Sequence, residues 1–372
     1  MTVSSCKFNE ITIPQTAPSL VVHAVLNPTL LTQVVLVERT LTGTLPVQDS
    51  VFNPADPIRS DGGIPVSSAS VVIIDSTGRE LAGVEDRLNG GSRGTGVYRI
   101  NLTSPLQPGG RYSLRVQTTQ GETVTGETRL PRPVVASSGA LTRTFNRDHD
   151  TLAIQWTSTP LSRAYAVRIE SPFGPYFLFS DSTQLRIVGD ARNPFANNLE
   201  HLFIPGFRQD IVVAAVDSNF YDYYRTNNDP FTGAGIINRL TGGLGLFGSL
   251  YPLTTGSLSV TADQDDPVEG RFRANPPTAD PQRISTLNVY LESKSTRSDL
   301  PDVLSGRYTT GSAVTNGIVG EMTGSRVTLV LVSNQLAHDT LDVFAGDLSS
   351  DGRTLTGTFR SRGSTQFTYI KQ

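Results

Sequence analysis

An all-β chain of several domains is predicted, with two immunoglobulin- or fibronectin-like β-sandwiches followed by an antiparallel, up-and-down barrel-like domain. Three observations predict it. Apolar and polar residues alternate with a period of two along most of the 372 residues. Turn signals recur every eight to twelve residues or so, the spacing of sandwiches and barrels. No amphipathic helical pattern runs longer than about two turns.

Residues 1–13 read as a lipoprotein-like leader. In it Val3-Ser4-Ser5-Cys6 has the shape of a lipobox, an aliphatic residue and two small ones before the cysteine that takes the lipid. The charged and apolar regions of a signal peptide do not precede it, so this reading expects a segment upstream of Met1. Cys6 is the single cysteine, which excludes an intrachain disulfide.

Residues 14–133 form the first block. Leu20–Leu26 and Thr32–Arg39 read as strands, then a polar loop with Asn53-Pro54 and Asp61-Gly62-Gly63 intervenes. Strands follow at 69–75, 80–84, 97–102, 111–118 and 122–130. In the fourth of these Tyr112, Leu114 and Val116 alternate with Arg111, Ser113 and Arg115. Seven strands in about 115 residues is the count of an immunoglobulin-like or transthyretin-like sandwich.

Residues 134–253 form the second block, with strands at 151–157, 164–170, 176–179, Gln184–Val188, 201–204 and 210–217. The only tryptophan, Trp156, precedes the Tyr165-x-Val167-x-Ile169 strand, as in a fibronectin type III module. Phe173, Tyr176, Phe177 and Phe179 are expected in its core. The stretch 220–252, dense in aromatic residues and glycine, reads as a long loop of the kind that carries function. Residues 254–372 supply nine further strands, at 257–262, 268–274, 285–293, 304–310, 317–323, Arg326–Val332, Thr340–Leu348, 354–361 and 365–370. Tight turns such as Ser350-Asp351-Gly352 link them. Such a barrel is either filled with side chains or holds a small ligand.

Charge narrows the function classes. The net charge of −3 and pI near 5.9 argue against nucleic acid, which requires a basic stripe. No run of about 18 apolar residues forms a membrane-spanning helix, so a lipid on Cys6 is the expected membrane attachment.

Two strings imitate catalytic motifs. Gly90-Gly91-Ser92-Arg93-Gly94 fits G-x-S-x-G, but the nucleophile elbow needs a strand before it and a helix after it, whereas this string lies among glycines. Gly243-Leu244-Gly245-Leu246-Phe247-Gly248 fits G-x-G-x-x-G, which binds dinucleotides only inside a βαβ unit. Neither context is present, and no cofactor is expected. An enzyme would need a concave site uniting His201 or His149 with carboxylates from distant strands. Asp148-His149-Asp150 reads as a polar turn. Asp263, Asp265 and Asp266, with Glu269, form a hard-oxygen cluster of the kind Ca²⁺ uses, yet without EF-hand spacing, so a solvated hairpin is expected.

The run Phe220-Tyr221-Asp222-Tyr223-Tyr224-Arg225, with Phe247 and Tyr251, is the candidate binding or interface group. Exposed rings with polar rims bind sugars or protein partners. The competing expectation is that these rings pack between domains.

These pieces together resemble a family of Gram-negative outer-membrane lipoproteins classed as a domain of unknown function. The residues that carry the likeness are the Cys6 leader and Leu20-Val21-Val22; Ala69 to Ile73 with Tyr98; Gly110 to Val116 with Leu130-Pro131; Trp156 with Tyr165; and Tyr221 to Tyr224 with the Gly242 to Gly248 close. The likeness covers roughly residues 6–253, and residues 254–372 look like an added barrel-type domain. Family members are often encoded beside TonB-dependent receptors. The resemblance therefore implies a non-enzymatic cell-envelope lipoprotein that binds a ligand such as a glycan, or docks an outer-membrane receptor.

Overall fold

A computed structural model of the chain describes residues 18–40, 65–86, 96–137, 143–171, 174–188, 202–226, 237–278, 280, 283–297, 299–312, 315–333 and 339–372. The strands in chain order begin with β1 (Leu20–Leu26), β2 (Thr32–Arg39), β3 (Ser70–Asp75), β4 (Glu80–Ala82), β5 (Val84–Glu85), β6 (Val97–Asn101), β7 (Arg111–Gln117) and β8 (Thr123–Arg129). They continue with β9 (Arg143–Asn146), β10 (Thr151–Gln155), β11 (Ala164–Ser171), β12 (Gly174–Ser180), β13 (Gln184–Val188) and β14 (Arg208–Val216). A helix α1 (Ser218–Thr226) and the long strand β15 (Leu244–Thr261) follow. The last eight are β16 (Gly270–Asn275), β17 (Ile284–Ser293), β18 (Asp302–Thr310), β19 (Thr315–Thr323), β20 (Arg326–Val332), β21 (Thr340–Leu348), β22 (Thr354–Phe359) and β23 (Gln366–Lys371). The chain is therefore nearly all β, and it divides into two compact units.

The first unit comprises Met1–Val134, Ser158–Tyr165 and Ala214–Pro252. Its sandwich sets β1, β2, β6 and β5 against β4, β3, β7 and β8. Strict alternation decides which side chains face inward: Leu20, Val22, Ala24 and Leu26 of β1 meet Val71 and Ile73 of β3 and Leu114 and Val116 of β7. Each such buried Val, Leu or Ile side chain contributes roughly 1.5–3 kcal/mol of transfer free energy. Tyr98 brings a polar end into this core, where backbone groups of the 66–69 segment satisfy it. Its hydroxyl donates to the Val66 carbonyl at 2.7 Å and accepts from the Ala69 N–H at 2.9 Å. Leu244 to Ser249 adds a parallel strand beside β1, with Val21 opposite Leu244 and Leu26 opposite Ser249.

The second unit comprises Val135–Thr157, Ala166–Val213 and Leu253–Gln372. Its sandwich-like part has β10 paired with β13, and β12, β11 and β14 in sheet order. Trp156 is buried there, and the Phe145 and Phe203 rings pack at 4.5 Å between centroids. Residues 202–204, read from the sequence as part of a strand, are bent, irregular backbone whose side chains are buried. Phe177 and Phe179 correct a second expectation. They are 59 % and 37 % exposed, because β12 lies at the end of its sheet and its alternation points them outward. Phe173 lies outside the described residues.

Strands β16 to β23 close into an eight-stranded antiparallel barrel. Its interior is filled. Phe344, Phe359 and Tyr369 stack with centroid separations of 5.0 to 6.4 Å, among Leu287, Leu304, Ile318 and Leu329. Room for the Phe344 ring comes from a cross-strand glycine pair, Gly346 opposite Gly357, where an added Cβ would meet that ring at 2.9 and 2.7 Å. On the barrel's outside, a Cβ on Gly317 would meet the Phe207 ring at 2.2 Å, so that glycine seats Phe207 against the wall.

Candidate functional site

The stretch 220–252, read from the sequence as one long loop, contains regular structure at both ends of its described residues. It holds α1 and the first half of β15. Asp217 starts the helix. Its Oδ1 accepts the Phe220 N–H at 2.9 Å, the N-cap bond to the third helical residue, and the Ser249 N–H at 3.1 Å. Its Oδ2 accepts from the Thr128 hydroxyl at 2.6 Å. Burial pushes the Asp217 carboxyl above the usual carboxylate range, and these bonds oppose the shift. At the other end the Thr226 hydroxyl donates to the Asp222 carbonyl at 2.7 Å and accepts from the Ile237 N–H at 2.9 Å.

The glycines of Gly242 to Gly248 serve close backbone approach. Gly245 has φ +118°, and a Cβ there would lie 2.0 Å from the Val22 carbonyl oxygen. A Cβ on Gly243 would strike Val124, and one on Gly248 would sit 3.0 Å from the Phe220 backbone nitrogen. The string therefore lets one segment run beside β1 and under α1. It lies within a strand that follows a helix, not in a turn that opens one, so it has no phosphate-cradling geometry.

Phe220 is the helix's anchor and is buried. Tyr221 and Tyr223 are half-buried and Tyr224 is 36 % exposed. His23 of β1 meets both Tyr223 and Tyr224 edge-on, with centroids 6.0 and 6.4 Å away, and the Tyr224 hydroxyl lies 3.3 Å from its Nε2. Burial lowers the His23 pKa, so its ring is neutral at pH 7. Tyr221 faces two guanidiniums, Arg163 at 4.8 Å and Arg225 at 5.7 Å from its ring centroid. Phe247 points into the sandwich core, and Tyr251 is half-buried on β15. The rings so placed pack within the first unit.

An open cleft of about 440 Å³ lies at the N-terminal end of α1, between Arg111, Glu127 and Arg129 of the β7–β8 hairpin and the Leu161–Ser162–Arg163 turn, with Asp217 and Ser218 at its side. None of these residues was singled out by motif. The one usable signal was Asp217 itself, an N-cap type residue directly after the apolar run 211–216.

The acidic segments 148–150 and 263–269 do meet. Asp263 accepts from Asn146 Nδ2 at 3.0 Å, lies 2.6 Å from His149 Nε2, and its N–H donates to Asp148 at 2.8 Å. Asp266 pairs with Lys294 at 2.9 Å and accepts the Val268 N–H, while Glu269 accepts from the Asp266 and Leu291 N–H groups. Asp265 is exposed. These oxygens are engaged in closing turns, and among the described residues no group of three acidic, histidine or cysteine side chains could hold a metal. Cys6, Ser92 and His201 lie outside the described residues. No helix among those described is long and apolar enough to cross a membrane.

The family model described as a domain of unknown function, DUF4249, matches residues 9–281. The chain belongs to the DUF4249 family. The match takes in the Gly242 to Gly248 close and both sandwich-like parts, and ends in the first turns of the barrel. No curated protein matches the chain. Among solved structures, a Ca²⁺-stabilized adhesin with which an Antarctic bacterium binds ice is 13 % identical, covering 96 % of this chain and 74 % of that one at a TM-score of 0.16. The FN1–FN3 domains of chicken CNTN1 are 14 % identical, covering 95 % and 98 % at a TM-score of 0.16. A pullulanase from Anoxybacillus sp. LM18-11 is 10 % identical, covering 53 % and 24 % at 0.18. Likenesses this slight bear on neither site nor activity, so the DUF4249 assignment rests on the family match.

Proposed function

We propose that this DUF4249 chain is a non-catalytic, lipid-anchored protein of the outer membrane that docks a protein partner, the TonB-dependent receptor being the expected one. The observation that carries this reading is the outward side of α1. Tyr221, Tyr223 and Tyr224 stand at partial exposure on a helix fixed from below by buried Phe220, and Arg163 and Arg225 bracket them. Tyrosine and arginine are the residues enriched at the energetic centres of protein interfaces. Rings held by a rigid element lose little conformational entropy on binding. The filled barrel supports docking over enclosure of a small ligand in that domain. The anchor is supported by the Val3-Ser4-Ser5-Cys6 string.

A photo-crosslinking residue placed at position 224 of the full-length gene product tests the contact in intact envelopes. The expected result is an adduct with the neighbouring receptor from position 224 and none from position 168. An adduct pattern indifferent to position contradicts the reading. Mass spectrometry of Cys6 tests the anchor, with an unmodified thiol in membrane-free protein as the contrary result.

A further inference from the structure

We propose that the cleft beside the N-terminus of α1 binds a small ligand through a dianionic oxyanion, a phosphoryl group or a dicarboxylate. Most other described arginines of this unit find carboxylates: Arg39 pairs with Glu122, Arg79 with Asp75, Arg99 with Asp86, Arg115 with Glu80 and Arg239 with Asp222, whereas Arg132, outside the cleft, does not. Arg111, Arg129 and Arg163 do not pair with a carboxylate among the described residues, and all three line the one cleft. Among the described residues Arg129 donates to the Gly109 carbonyl, at 3.3 Å, and Arg163 rests on the Tyr221 ring.

The placement of the first two is unfavourable in the empty molecule. Arg111 and Arg129 are direct cross-strand partners on the outer face of β7 and β8. Like charges so opposed repel, and an anion between them reverses the sign of that interaction. The cleft's acidic residues do not neutralise it. Glu127 is a single exposed carboxylate. Asp217 is buried and spends its oxygens on Thr128 and two backbone N–H groups, so the helix end is already capped and is not itself the site. Three guanidiniums against one available carboxylate leave room for about two negative charges, and the planar fork of arginine suits phosphate and carboxylate oxygens. The volume of about 440 Å³ lies in the range of small-molecule sites. The lipid anchor does not enter this inference, and of the docking face it shares only Arg163, so loss of phosphate binding in Arg111→Gln separates the two.

Isothermal titration calorimetry of the full chain with inorganic phosphate at low ionic strength tests it. Saturable binding is expected, weakening as sodium chloride is added. Arg111→Gln and Arg163→Gln are each expected to weaken binding about tenfold or more, the loss of one charge-assisted contact. Arg115→Gln, on the same strand but outside the cleft, is expected to bind like the parent. Pelleting with phosphatidylcholine vesicles doped with phosphatidic acid, lost in the same two variants, would assign the oxyanion to a lipid headgroup. Phosphate binding without pelleting would assign it to a soluble ligand. Absence of both, or parental binding by Arg111→Gln of unchanged melting temperature, would overturn the proposal.

Discussion

At the scale of single residues, Asp217 ties the most together. One carboxylate caps α1, holds the Ser249 backbone and accepts from Thr128. Asp217→Ala would remove the cap and orphan buried donors, and is expected to destabilise the fold by about 2–4 kcal/mol in denaturant titration. Its raised pKa also sets a sign. The folded state holds this proton to higher pH than the unfolded chain, so from the ordinary value of 3.8 upward folding becomes less favourable until the folded-state value is passed. Asp217→Asn is expected to abolish this downward slope in unfolding measured from pH 3.5 upward. An unchanged slope would mean that another group causes it. The sequence reading placed Asp217 at the end of a strand and gave it no role, because the Thr128 and Ser249 partners come from distant segments. The same holds for the cleft, whose arginines at 111, 129 and 163 meet only in the fold.

At the scale of elements, the strands were the legible part. Val327, Leu329 and Leu331 alternate inward along β20, and the eight barrel strands follow the alternation read from residues 268–370. The helix was not legible. Phe-Tyr-Asp-Tyr-Tyr has weak helix propensity, and nine residues are too few to hold a helix without tertiary packing. Its stability comes from Phe220 and from Gly248, which allows the close approach. The Gly242 to Gly248 string was visible but its purpose was not, because glycine in a strand reports close approach without saying to what. Gly245→Ala, set against the Val22 carbonyl at positive φ, is expected to destabilise the first unit by about 3 kcal/mol or more. Gly121→Ala, at a φ of +87° with nothing within 4 Å of the added Cβ, pays backbone strain alone and is expected to lose about 1 kcal/mol. Chemical denaturation of the two variants checks the difference, and equal losses would contradict the close-approach account.

At the scale of the whole molecule, fold class follows from patterning, whereas function lies in surface chemistry that patterning does not encode. The barrel illustrates this. Its antiparallel strands were expected, but whether it enclosed a ligand turned on Phe344, Phe359 and Tyr369, which fill the interior, and on the Gly346–Gly357 pair, which makes room for Phe344. Under the proposed function recognition falls to outer surfaces, with the α1 tyrosines as the docking face. The most direct test is the affinity of the purified neighbouring receptor for the chain and for its Tyr223→Ala/Tyr224→Ala variant, with melting temperatures measured alongside. The account predicts a loss of about tenfold or more with the fold retained, the size of an interface hot spot. Equal affinity of parent and variant would contradict it.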